Sequence, residues 1–212
     1  MNDQDCAPPT RREARRRDRQ DMILSVAQEY FLEHGFAGTT MSGIAAALGG
    51  SKGTLWNHFP SKEQLFAAVL GRVTQAYRAR LSQILDPEAD LRTTLENVCR
   101  SLLAKVTSPQ AIALHRIIIA EGGRFPELSQ IFFDLAPRNT RMLMAGFLEG
   151  AMERGQLRTA DPVDAARLLM SVTMSGTHHQ LLMRAIAEPV AEQMEADALF
   201  AVDIFMRAYA RS

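Results

Sequence analysis

The chain has 212 residues, 47% hydrophobic and 23% charged, enough apolar material for a buried core and too much for a disordered chain. Its 24 basic and 24 acidic side chains cancel, so no whole-chain charge excess points to nucleic acid and only local charge can carry that argument. Cys6 and Cys99 are too few for a disulfide scaffold, no apolar run reaches membrane-spanning length, and no apolar stretch follows the N-terminal arginines as in a secretion signal; the expectation is a cytoplasmic protein without a membrane partner.

The one basic block comes first. RREARRRDR at 11–19 holds six arginines against Glu13 and Asp18, and residues 1–18 read as a flexible arm. Beyond it the period is helical nearly everywhere. MILSVAQEYFL at 22–32 puts Met22, Ile23, Val26, Ala27, Tyr30 and Phe31 on one face, and Gly35 follows as a C-terminal cap. A short helix runs from Met41 to Leu48 with Thr39 or Thr40 as its cap. Gly49-Gly50 turns the chain into a third helix, which starts near Ser51 and ends by Phe59 because Pro60 disfavours helical geometry before it. Ser61 and Gln64 form a capping-box pattern that opens a longer helix, reaching toward Leu85. Long helices follow near 88–107, 109–121, 126–154 (interrupted near Pro137), 161–187 and 190–209. Asp161-Pro162 is a strong start signal for one of them. The fold class is all-α: a small three-helix domain at 19–66, then a larger helical domain at 67–212.

Two short helices joined by a tight glycine turn have the geometry of a helix-turn-helix, whose second helix enters the major groove. Here that helix is SKGTLWNHF. Leu55 and Phe59, four apart, face the core, leaving Lys52, Gly53, Thr54, Trp56, Asn57 and His58 outward. Gly53 lets backbone approach closely, Thr54 suits a phosphate or a thymine methyl, and Trp56 and Asn57 bring donors. Lys52 and Lys62 each open a helix. A lysine there is unfavourable by roughly a few tenths of a kcal/mol unless an anion faces it, so both are expected at phosphates.

These residues carry a resemblance. HGFAGTTMSGIAAALGGSKGTLWNHFPSKEQLF at 34–66 is similar to the DNA-binding domain of the TetR family of transcriptional regulators, in its TT, IA, glycine turn, SKGTL, aromatic and SKE-x-L. The resemblance implies an all-α homodimer on a palindromic double-stranded operator, usually a ligand-released repressor. It places DNA contacts at Thr40, Ser42, Ser51, Lys52, Gly53, Thr54, Trp56, Asn57, His58 and Lys62. Two positions depart from the pattern. Gly50 stands where the family usually has an apolar residue, and Trp56 where tyrosine is common. A second stretch, 116–172, resembles the AefR-like branch through RFPEL, the aromatic pair after it, G-x-L-R and DP-x-x-AA. Members of that branch often control efflux or membrane-stress genes.

The resemblance puts an effector pocket among the C-terminal helices. Met170, Met174 and His178 fall at steps of four, an apolar stripe ending in one polar group, as a small-molecule site uses to orient a ligand. Ile118, Phe133, Met144 and Phe147 complete the expected lining; of the adjacent Phe132 and Phe133, one packs in the core and the other faces the cavity. The terminal segment ADALFAVDIFMRAYA spreads Leu199, Val202, Ile204, Phe205 and Met206 over an apolar surface wide enough to expect a second subunit.

No metal or other cofactor is expected. His34, His58 and His115 have no ligand partner one helical turn away, and His178 and His179 diverge by about 100°. There is no G-x-S-x-G, phosphate loop or H-E-x-x-H, so an enzyme is the weakest reading. The alternatives to a ligand-released repressor are an activator, an effector-independent regulator, or a helical protein-binding module without DNA activity.

Overall fold

The computed structural model describes residues 10–49 and 52–211, all helices and connecting segments apart from one isolated bridge between Leu157 and Ala210. In chain order the helices are α1 (Arg11–Gly38), α2 (Met41–Ala47), α3 (Lys52–His58), α4 (Lys62–Ile84), α5 (Leu91–Val106), α6 (Pro109–Glu121), α7 (Pro126–Phe133), α8 (Asn139–Glu153), α9 (Pro162–Met174), α10 (Thr177–Leu182) and α11 (Ala191–Tyr209). Among the described residues, no helix is long and apolar enough to cross a membrane. The chain divides into two compact units, 1–69 and 70–212, with the boundary inside α4.

α1 starts eleven residues before the apolar pattern does, because Thr10 and Glu13 close a capping box. Thr10 N–H donates to the Glu13 carboxylate at 2.8 Å, and Glu13 N–H donates back to Thr10 Oγ1 at 3.3 Å. Those bonds with Thr10 hold the Glu13 carboxyl below its ordinary range. The stretch read as a flexible arm is therefore helical from Arg11 onward, and residues 1–9 lie outside the described residues. Gly35 breaks the helical course at φ 71°, ψ 177°, a left-handed backbone that favours glycine, so the turn falls where the sequence places it.

The first unit closes on an aromatic triad. Phe66 meets Phe31 and Phe36 edge-on, with ring centroids at 5.2 and 5.5 Å. Ile23, Ala27, Ile44, Leu55 and Leu65 are buried in the same unit.

In the second unit α5, α8, α9 and α11 supply a continuous core, with Ala165, Ala166, Ala198 and Ala201 among its buried residues. Small side chains there allow close helix packing. Cys99 belongs to this core. Burial pushes its thiol up to about 11, which makes it a protonated packing residue rather than a nucleophile. Arg100 grips Glu195 with Nε and Nη2 at 2.7 and 2.6 Å, joining α5 to α11.

Two segments interrupt the helices, the first near Pro137 as the sequence places it and the second inside the expected 161–187 helix. Between α7 and α8, Asp134–Arg138 winds as a π-helix around Pro137. Proline has no N–H to donate and its ring clashes with the carbonyl four residues back, so the wider turn relieves both. Between α9 and α10 the helix breaks at Ser175-Gly176. Asp197 of α11 meets the chain just after this break. Its carboxylate accepts from Thr177 N–H at 2.7 Å and from Thr177 Oγ1 at 2.6 Å, capping α10 from outside. A Cβ on Gly176 would run into that carboxylate, so a larger residue there would have to displace Asp197 from Thr177. Asp197→Ala is expected to cost about 1–3 kcal/mol, because Thr177 N–H, Thr177 Oγ1 and Gln193 Nε2 lose their acceptor. Urea titration checks this; an unchanged midpoint would remove the cap from the account of the break.

Candidate nucleic-acid interface and effector site

The helix-turn-helix is built as its local signals require. Thr40 Oγ1 accepts from Gly43 N–H at 3.0 Å and caps α2. Gly49 takes φ 62° in the turn, a conformation that glycine adopts without strain. Leu55 and Phe59 are 1% and 6% exposed, so the opposite side of α3 faces out. On that side Gly53, Trp56 and Asn57 are exposed, with Trp56 at 38%. His58 is half-buried, its ring tilted against Phe59 at 6.4 Å. Thr40 and Ser42 are exposed at the start of α2. Ser51 and Gly50 lie outside the described residues, and Lys52 and Thr54 are placed by backbone alone, in the first turn of α3.

Lys62 departs from the expectation. Its ammonium donates to the carbonyls of Phe36 and Thr39, at 2.7 and 3.1 Å, and lies 4.2 Å above the Phe36 ring. The negative partner inferred for this lysine is thus the carbonyl end of α1 within its own unit, where a cation is favoured.

The expected effector residues scatter. Met144 and Met170, 2% and 4% exposed, are core side chains, and Phe147 and Met174 pack against that core. Ile118 is half-buried on α6. Phe133 points outward at 46% exposure, with the Arg141 guanidinium 5.9 Å over its ring. Its neighbour Phe132 turns the other way and meets His115 edge-on at 5.1 Å. The helix break puts His178 on α10 rather than on one continuous stripe with Met170 and Met174.

His178 instead meets His115 of α6, with centroids 5.2 Å apart and planes at 75°. Burial, then the neighbouring His178, lower the His115 pKa to about 4. Burial lowers that of His178 as well. Burial thus favours the neutral form of both rings. His178 Nε2 and His115 Nδ1 are buried without a hydrogen-bond partner among the protein atoms. His115, which the sequence offers only as a rejected metal ligand, lies on α6. It is the one imidazole in the mostly apolar run PQAIALHRIIIAE. Among the described residues, no group of three or more His, Cys, Asp or Glu side chains converges as metal ligands.

On the inner face of α11, Val202 and Phe205 are fully buried in their own subunit, correcting their expected place on the outer apolar surface. Met206 packs against the same core. The exposed large apolar residues of that helix are Leu199 and Phe200, at 41% and 56%. Helical periodicity explains the split, since residues three or four apart share a face.

Comparison with known proteins bears on both units. Residues 23–69 match the family described as bacterial regulatory proteins, tetR family. Residues 93–211 match the AefR-like transcriptional repressor C-terminal domain. The HTH-type transcriptional regulator UidR of Escherichia coli K12 is 27% identical over 184 residues, which cover 84% of this chain and 85% of UidR. Among solved structures, the flavonoid-responsive regulator FrrA is 31% identical, with TM-score 0.77 over 91% of this chain and 97% of FrrA. SmeT, the repressor of the Stenotrophomonas maltophilia multidrug efflux pump SmeDEF, is 28% identical, with TM-score 0.65 over 91% of each chain.

Proposed function

Because the chain belongs to the TetR family of DNA-binding transcriptional regulators, we propose that it is a homodimeric repressor of a palindromic operator, released when a small apolar or aromatic effector enters the second unit. The outward face of α3 carries this reading: Leu55 and Phe59 anchor the helix, while Trp56 and Asn57 stand free to meet base edges and phosphates. The Trp56 indole offers one N–H donor in place of the tyrosine hydroxyl common in the family.

The dimer reading draws on the exposed Leu199 and Phe200 of α11, with Met183 at 68% exposure and Val190 at 55%. Apolar surface of this kind favours a partner subunit, and a stable interface needs at least roughly 1,200 Å² in total. Effector release requires a ligand that binds one conformation better than the other. α4 runs unbroken from Lys62 to Ile84 across the unit boundary and is the element through which such a preference would reach the recognition helices. Those helices must stand about 34–36 Å apart to enter successive major grooves. The names of FrrA and SmeT favour a flavonoid-like effector and an efflux target for this chain.

Selection of duplexes from a random pool, followed by sedimentation of the complex, tests the proposal. The expected result is a palindrome carrying two chains, freed by a hydroxyflavone. A non-palindromic site, or a single chain per site, would overturn the dimer; binding unaltered by flavone would remove this effector class.

A further inference from the structure

We propose that the first turns of α1 lay a stripe of arginines along the phosphate backbone of the bound duplex, adding sequence-independent affinity to what α3 reads. The inference rests on the DNA-binding reading above and extends its footprint to the basic block at 11–19.

The Thr10–Glu13 capping box makes this block a helix, and a helix sorts its charges by face. At about 100° per residue, Arg11, Arg12, Arg15, Arg16 and Arg19 fall within roughly 140° of one side. Arg17 lies about 160° from Arg15, on the other side with Glu13 and Asp21, and Asp18 stands at the edge of the stripe. Arg11, Arg12, Arg15 and Arg16 are exposed, and Arg19 is half-buried. Among the described residues none of these five forms an ion pair. Arg19 has one weak contact, from Nη1 to the Met22 sulfur at 3.6 Å.

The packing of the first unit does not account for the stripe. The buried residues of α1 begin at Ile23, so the turns before it rest on no core. Arg11 and Arg15, Arg12 and Arg16, and Arg15 and Arg19 are like charges one turn apart, which repel. Arg11 and Arg12 also stand in the first turn, where the helix dipole disfavours cations. An anion along the stripe offsets both effects.

The density of charge selects the anion. Five guanidiniums stand over about 12 Å of helix, at about 1.5 Å per residue. A duplex carries one negative charge per about 1.7 Å of axis, on the order of seven over that length. An anionic bilayer is the other extended surface of that sign, but a helix lying on one buries an apolar face. From Arg11 to Asp21 the one apolar side chain is Ala14. Contacts to phosphate carry no base information, so the stripe strengthens binding to any duplex.

Arg15→Gln and Arg17→Gln in the full chain test this. The two variants lose the same charge from the same helix, two residues apart, and glutamine is nearly as good a helix former as arginine. Fluorescence anisotropy at several salt concentrations reads each variant on the selected operator duplex and on a random duplex. Arg15→Gln should lower the salt slope by about one unit of log affinity per log salt for each bound chain, on both duplexes. Arg17→Gln should leave the slope at the wild-type value. A slope that changes equally in the two variants, or in neither, would overturn the inference and leave a solvated charge run. Operator preference in the wild-type chain would then keep the DNA reading standing. Sedimentation with phosphatidylserine vesicles reads the lipid surface. Vesicle binding that falls with Arg15→Gln while both DNA slopes hold would overturn the inference in favour of lipid. A wild-type chain with no affinity for either duplex would sink the DNA reading and this inference together.

Discussion

Phe66→Ala is expected to remove about 3–5 kcal/mol from the first unit, the range for truncating a buried phenylalanine. Phe66 is 1% exposed and makes both edge-on contacts of the aromatic triad with Phe31 and Phe36. Such pairs add about 0.5–1.5 kcal/mol beyond area burial. A domain holds only about 5–15 kcal/mol in all, so this one change consumes much of the first unit's stability. The second unit has its own core on α5, α8, α9 and α11 and should hold its helices. Trp56 is the sole tryptophan and lies in α3, so its fluorescence reports the first unit alone. The expected result is a Trp56 transition at much lower temperature, a far-ultraviolet circular dichroism melt that keeps its main step, and loss of operator binding. A single transition moved by the same amount in both signals would mean that the two cores do not melt separately.

Lys62→Met is expected to lower the stability of the first unit by about 1–3 kcal/mol and to leave the salt dependence of operator binding unchanged. The methionine keeps most of the stem but removes the donor that reaches the Phe36 and Thr39 carbonyls. Thr39 itself is 1% exposed, so water reaches these groups poorly. A lysine on a phosphate would behave differently. Its removal would lower the slope by about one unit of log affinity per log salt. Melts beside anisotropy titrations at several salt concentrations separate the two. A reduced slope with an unchanged melt would return Lys62 to the DNA.

The two lysines show where inference from sequence holds and where it stops. The helix starts at Lys52 and Lys62 were legible, because Gly49, Pro60 and Ser61 mark them locally. The negative partners that Lys62 meets are backbone carbonyls. The identity of that partner was not available, because Phe36 is 26 positions away and only packing brings the end of α1 to α4. The capping box at Thr10 and Glu13 was local and open to reading. The arginine run after it lacks the apolar period that signals a packed helix, so periodicity alone does not extend α1 to it.

The same division runs through the second unit. Pro137 announced a disturbance of the α7–α8 segment, and Asp161-Pro162 announced the start of α9, since both act through their own backbone. Ser175-Gly176 was a local turn signal within the expected 161–187 helix, but the group that caps the helix after it, Asp197, sits on α11, 20 positions beyond Thr177.

Chain order, helical class and the outward face of α3 thus follow from signals that span one or two turns: period, caps and glycine turns. They survive in any tertiary setting because steric and hydrogen-bonding limits on the backbone act between near neighbours. The partner of Lys62, the burial of Val202 and Phe205 in their own subunit, and the meeting of His115 with His178 were settled by which helices pack together. That choice depends on the summed fit of whole faces, and no short stretch of residues encodes it.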